Sequence, residues 1–183
     1  RGAVGHTTHG RAVAVAVPRT FGITVPEEYG GLGLDVLTFS MIFEELSNGW
    51  MSITGPIGSH SMLTSAIVNY GSDEQKQRWL PDLAAGRKRG GLALTEPRGG
   101  SDVAGIQTRA VRDAHSNEYV INGNKQFITN ARTGDVFLLL ARTDADADPP
   151  RRGLTAFIAE KAPVFRTVQT STSSATAAWI PRN

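Results

Sequence analysis

Apolar positions along the chain recur at two different spacings. In "DVLTFSMIFEELS", Asp35 to Ser47, Val36, Phe39, Phe43 and Leu46 return every three or four residues, which places them on one side of a helix, and Asn48 and Gly49 offer a stop. "HSMLTSAIVNYG" predicts a second helix with Met62, Ala66, Ile67 and Tyr70 on its apolar side and Gly71 at its end. "SDEQKQRWL" has the form of a capping box, Ser72 accepting from the Gln75 N–H while the Gln75 side chain reaches back. A third helix follows it with Trp79, Leu80 and Leu83 inward, and Pro81 is expected to distort or restart it. After Gly86 the period falls toward two. "EYVINGNKQFITN" reads as two strands joined by a type I′ turn at Asn122-Gly123, and "DVFLLLART" and "GLTAFIAE" are further strands. Helices followed by strands predict an α+β protein, a helical domain packed on an antiparallel β-domain.

The two ends follow neither period. Arg1 to Arg19 has no consistent spacing, and the Ser/Thr/Ala tract from Phe165 has no turn logic, so the segments expected are 1–20 poorly specified, 21–88 helical, 89–164 β and 165–183 poorly specified.

Composition narrows the function classes. The 183 residues are 40% hydrophobic, enough for one good core or two small ones. A formal charge of +2 gives nucleic-acid binding little support. The absence of cysteine excludes disulfides, thiolate metal sites and cysteine nucleophiles. No apolar run is long enough for a membrane span, and a cytoplasmic protein is expected; "AVAVAVP", Ala12 to Pro18, is short for a secretory signal.

Most candidate motifs have plain explanations. "YGGLGLD", Tyr29 to Asp35, fails as a dinucleotide fingerprint because the third glycine would fall at Val36, so a helix-entry loop is expected. Glu44 and Glu45 are adjacent on a helix and diverge, which suits a solvated face rather than acid–base chemistry. His6 and His9 have helical spacing without carboxylate or thiol company, and no metal site is expected. "GRKRGG", Gly86 to Gly91, is a phosphate loop or a basic loop answering a helix dipole.

Two stretches carry more. In "GLALTEPRGGSD" a small apolar strand should end near Thr95, since Pro97 cannot donate to a ladder. Gly99 and Gly100 would then let the main chain turn back, with the Ser101 hydroxyl at the tip. Such a concavity suits a phosphate, although a strand leading into a glycine turn is the commoner meaning. In "FITN", a strand would turn Phe127 and Thr129 to one face and Ile128 to the other, presenting an aromatic and a hydroxyl to a planar heterocycle, or merely packing the sheet.

"VPEEYGGLGLD", "YGSDEQKQRWLPDLAAG", "LALTEPRGGSD", "YVINGNKQFITNA" and "LLLARTD", in this order and at these intervals from about Gly22 to Phe157, resemble the acyl-CoA dehydrogenase family. The resemblance implies a helical N-terminal domain, a β middle domain and a C-terminal helical domain, the last without counterpart in this chain. It implies FAD as cofactor and α,β-dehydrogenation of an acyl-CoA thioester to the trans-2-enoyl-CoA, with an electron-transferring flavoprotein as acceptor and a homo-oligomer, in fatty-acid and lipid metabolism. The alternative is a non-catalytic remnant or FAD/acyl-CoA-binding module that needs a partner. Carried onto this chain, Leu92, Ala93, Leu94, Thr95, Gly100, Ser101, Phe127, Ile128 and Thr129 would line the flavin, and Ser101 would also hold the acyl-CoA. Glu96, the only carboxylate beside the presumed flavin loop, is read as structural, so no catalytic base is assigned. Two departures from the family stand out: Gly99 replaces a usual alanine, and Phe127 stands where many members have tryptophan.

Overall fold

A computed structural model describes residues 20–115 and 118–161 in full, with the backbone of 165–169 and 175–179. The expectation for Arg1 to Arg19 lies outside the described residues. The chain divides into two compact units, Arg1–Lys88 and Arg89–Asn183.

Unit one is helical. Its first described stretch folds back on itself: Leu32 N donates to Gly22 O at 2.9 Å and Leu34 N to Ile23 O at 2.9 Å. A Cβ at Gly31 would collide with the Val25 carbonyl, while Gly33 is left-handed at φ 60°. The glycines of "YGGLGLD" thus serve a helix-entry loop, as expected, and Asp35 ends it by accepting from Thr38 N at 2.7 Å. Helix α1 follows as Val36–Trp50, α2 as Thr54–Tyr70 and α3 as Asp73–Ala84.

The second helix differs from its prediction in extent and in face. It begins six residues before His60, through Gly55 and Pro56, because proline in a first turn loses no intrahelical hydrogen bond. Its buried side is Ile57, His60, Ser61, Leu63, Thr64 and Ile67, whereas Met62 is 56% and Tyr70 89% exposed. Small polar residues can take the inner face because the helix satisfies them: Ser61 Oγ donates to Ile57 O at 2.9 Å and Thr64 Oγ1 to Ser61 O at 3.1 Å. His60, fully enclosed, meets the Phe21 ring edge-on at 4.8 Å. Burial lowers its pKa to about 4, against the opposing effect of a hydrogen bond with the Leu83 backbone.

The capping box at Ser72 is formed in both directions, Gln75 N to Ser72 Oγ at 3.2 Å and Ser72 N to Gln75 Oε1 at 2.9 Å. Pro81 does not restart α3, which runs through it unbroken; burial of Trp79, Leu80 and Leu83 outweighs the one missing N–H. The basic loop beyond is engaged locally. Arg87 pairs with Asp82 at 2.7 Å, and Lys88 lies 4.8 Å from the centre of the Trp79 ring.

Unit two is built on strands, completing the expected α+β class, but its main sheet is mixed rather than antiparallel. Strand β5, Val136–Arg142, pairs along its length with β6, Leu154–Glu160, in antiparallel register. Its other edge is shared by β1, Gly90–Ala93, and β2, Arg109–Arg112, both parallel to it. The long excursion from β1 to β5 makes the parallel pairing possible.

The expected Asn122-Gly123 hairpin is not formed. Strand β3, Tyr119–Asn122, pairs with β2, while β4, Asn124–Lys125, leaves for a second sheet with β8, Ala175–Trp179, which also pairs with β7, Phe165–Gln169. Gly123 is not left-handed. Its missing side chain has another use, because a Cβ there would overlap Thr108. Ala93, Ala110, Ile121, Ile128, Ala131, Phe137, Leu139 and Ala141 form the core of the unit, with Phe157 and Ala159 packed against it.

Candidate functional site

The two stretches singled out by sequence meet in unit two. Strand β1 carries Leu92 and Ala93, the latter fully buried, and ends just before Leu94 and Thr95. Thr95 O then accepts from Gln126 N at 2.8 Å, which brings the residue before Phe127 alongside Thr95.

Beyond Thr95 the chain reverses within four residues, Glu96 and Gly99 exchanging backbone hydrogen bonds at 2.9 and 3.0 Å around Pro97-Arg98. Proline suits the second position of such a turn. The glycines are therefore not what turns the chain, as the sequence had suggested, and neither is left-handed. Gly99 faces open space, so a side chain would fit there. Gly100 has no such freedom: a Cβ would stand 2.9 Å from Thr95 Oγ1. Ser101 is exposed next to it, and Asp102 closes the loop by accepting from Gly105 N at 3.2 Å.

"FITN" is not a strand. Phe127 and Asn130 are left-handed, at φ 57° and 65°. Asparagine tolerates that region; a bulky aromatic does so at a cost, and such strain gathers at functional sites. Phe127 is also 61% exposed, whereas Ile128 is buried in the core and Thr129 is half-buried. Ile128 thus anchors the stretch in the core, and Asn130 ties it back to β1 through Nδ2 to Gly90 O at 2.8 Å.

Between the two stretches lies a buried ion pair that the sequence pattern did not reveal. Lys125 Nζ, in a residue 1% exposed, is 2.8 Å from Glu96 Oε1 and 3.0 Å from Leu94 O. The Glu96 carboxylate also accepts from Thr108 Oγ1 at 2.6 Å, Thr108 N at 3.0 Å and Gln107 N at 2.7 Å. Burial alone would push the Glu96 carboxyl up, but the bonds from Lys125, Thr108 and Gln107 outweigh it and hold the group at about 2. Lys125 is drawn below its ordinary value by burial, which its bond to Glu96 opposes. A carboxylate so occupied cannot take a proton from a substrate, and the structural role read for Glu96 is the one its geometry supports. The signal for this pair is absent from local periodicity, since its members lie 29 residues apart and both are polar.

An open pocket of about 360 Å³ adjoins the turn, with Pro97, Arg98, Gln107 and Asn124 in its wall. It shares Glu96 with the loop but contains neither Thr95 nor Phe127. Among the described residues no group of acidic or histidine side chains is placed to hold a metal, and no helix is long and apolar enough to cross a membrane.

Comparison with known proteins bears on most of the chain. The N-terminal domain model of acyl-CoA dehydrogenase matches residues 18–87, and the middle domain model matches 91–179. The (2S)-methylsuccinyl-CoA dehydrogenase of Cereibacter sphaeroides is 42% identical over 151 residues, 82% of this chain and 27% of the relative. The mitochondrial isovaleryl-CoA dehydrogenase of Pongo abelii is 42% identical over 141 residues, 76% of this chain and 33% of the relative. A crystal structure of an acyl-CoA dehydrogenase from Bacillus anthracis, complexed with FAD, superposes with a TM-score of 0.73 at 35% identity, over 94% of this chain and 30% of that one. The chain thus spans about a quarter to a third of the length of these relatives. Matched by both domain models in sequence order, it belongs to the acyl-CoA dehydrogenase family.

Proposed function

We propose that residues 89–164 carry one wall of an FAD site for the α,β-dehydrogenation of an acyl-CoA thioester, and that 21–88 form the accompanying helical domain. The observation that carries this reading is the convergence of Thr95, Gly100 and Phe127, held together by the Gln126 N–H on Thr95 O. The residues present fit the group. An exposed aromatic in a strained, left-handed conformation suits the face of a flat ring, and the bare Gly100 backbone beside Ser101 suits an anionic tail.

Bound FAD would supply the acceptor for the hydride that leaves the β-carbon. This chain's own work is placement. Thr95 would offer its hydroxyl to the ring's polar edge, and Leu92, Ala93 and Leu94 would line the approach to it. Gly100 and Ser101 would meet the pyrophosphate, with Ser101 also toward the acyl-CoA, while Phe127 would pack on the ring with Ile128 and Thr129 behind it. An electron-transferring flavoprotein is the partner, and fatty-acid or related acyl-thioester metabolism the setting, that go with this reading. Glu96 is not assigned as the base, for the reasons of geometry above.

The test is an FAD titration of the full chain. Binding that weakens by about 1 kcal/mol in Thr95→Ala supports the reading, one hydrogen bond being lost. An unchanged affinity removes Thr95 from the site. Anaerobic bleaching by a series of acyl-CoA lengths then separates an active dehydrogenase from a binding module: reduction of the bound flavin supports the first, and binding without reduction the second.

A further inference from the structure

We propose that Lys125, through Glu96, is a positioning residue that sets the spacing between Thr95 and Phe127, the two sides of the flavin wall; the inference rests on the function proposed above. Lys125 Nζ bridges Leu94 O, one residue before Thr95, and the Glu96 carboxylate, one residue after it. It therefore grips the first stretch on both sides of the flavin-facing threonine. Lys125 ends its strand two residues before Phe127, and the Gln126 N–H between them donates to Thr95 O. Three contacts thus join residues 94–96 to residues 125–126, all adjacent to groups assigned to the ring. Glu96 in turn is fixed from a third segment by Gln107 and Thr108, and Thr108 lies so close to Gly123 that a Cβ there would overlap it.

Stability alone does not call for this arrangement. An apolar pair of similar volume commonly serves a core as well as a buried ion pair or better. What an apolar pair cannot do is bind a main-chain carbonyl at a fixed distance. The left-handed backbone of Phe127 needs such support, because a strained residue keeps its conformation only where its neighbours leave it no alternative.

The experiment compares the unaltered full chain with Lys125→Met, Lys125→Arg and the double variant Glu96→Gln/Lys125→Met, reading FAD affinity, the visible band of bound flavin, and amide exchange without flavin. The double variant, with no charge left unpaired, is expected to regain most of the stability lost in Lys125→Met. Its FAD affinity should still be at least about tenfold weaker than that of the unaltered chain, with a displaced visible band, as expected where charge-assisted hydrogen bonds hold the site. Lys125→Arg should recover part of both. A double variant that regains affinity and spectrum together with stability overturns the proposal, leaving the pair a merely structural one. Should the unaltered chain bind no FAD, the flavin reading fails, and the clamp is judged by exchange alone. The Gln126 amide should then exchange faster in the double variant while Val136–Ala141 stay protected, and unchanged exchange at Gln126 overturns the clamp.

Discussion

His60 in the helical unit and Glu96 in the sheet unit are both hidden from water, and the protein treats them in opposite ways. His60 meets the Phe21 ring and the Leu83 backbone and is held neutral, its pKa lowered to about 4 by burial. Glu96 is 8% exposed and is held ionised at about 2, because donors from two other segments, Gln107–Thr108 and Lys125, surround its oxygens. Burial discourages charge; a shell of fixed donors reverses the outcome. The helical unit thus encloses an aromatic that behaves as a core residue, whereas the sheet unit encloses an organised polar junction beside the one place where its sequence looks functional.

The hardest blow to this contrast is Lys125→Met. Removing one member of a buried pair leaves the other uncompensated, and a loss of about 3–5 kcal/mol is expected in urea unfolding. A loss below about 1 kcal/mol would show that Glu96 is not held as a charge. Acid separates the two units next. The His60 pKa falls from its ordinary 6.5 to about 4 on folding, so the unfolded chain takes up a proton first, and its contribution is lost as pH drops from 6.5 to 4. Glu96 falls from 4.5 to about 2, so its contribution is complete above 4.5 and is lost only below it. Each is worth on the order of 3 kcal/mol. Unfolding free energy measured against pH should therefore decline already between pH 6.5 and 4.5, and His60→Gln should flatten that limb alone.

Smaller effects sharpen the same comparison at the surface. Ser72→Ala removes the side-chain half of the capping box of α3, the acceptor for the Gln75 N–H, and should cost about 1 kcal/mol by thermal unfolding. Gly99→Ala, at a position facing open space without a left-handed φ, should change stability by a few tenths of a kcal/mol at most. The same change at Gly100 brings a Cβ to 2.9 Å from Thr95 Oγ1 and should weaken FAD binding measurably. Equal effects at the two glycines would remove the distinction between turn and cradle.

What the sequence disclosed follows from how local each cause is. The Ser72 box, the helix-entry loop before α1 and the long strands β5 and β6 depend on residues close to one another, and each is where its pattern puts it. The face of α2 was misread because Ser61 and Thr64 bury their hydroxyls against their own helix, so polar letters hide an inner surface. Asn122-Gly123 was misread because glycine there answers Thr108, not a turn. Motif resemblance singled out the two stretches around Thr95 and Phe127, and the main-chain bond between Thr95 and Gln126 brings them together. Lys125 was missed because its two partners lie about thirty residues upstream, beyond the reach of any periodicity.

Strand β5 gives the molecule a schedule. The first strand of the sheet unit, β1, has its register with Val136–Leu139, and β2 meets the same strand at Arg142. During synthesis those edges wait, unpaired, until the ribosome has released β5. The helical unit makes its internal contacts with chain already emerged by Lys88. Non-local pairing is slow for the same reason that it is late, since the intervening loop must close before any contact rewards it. A nascent chain halted before Val136 would thus hold Thr95 and the residues around it without the strand that organises them, an interval in which a chaperone would find exposed strand edges to shield.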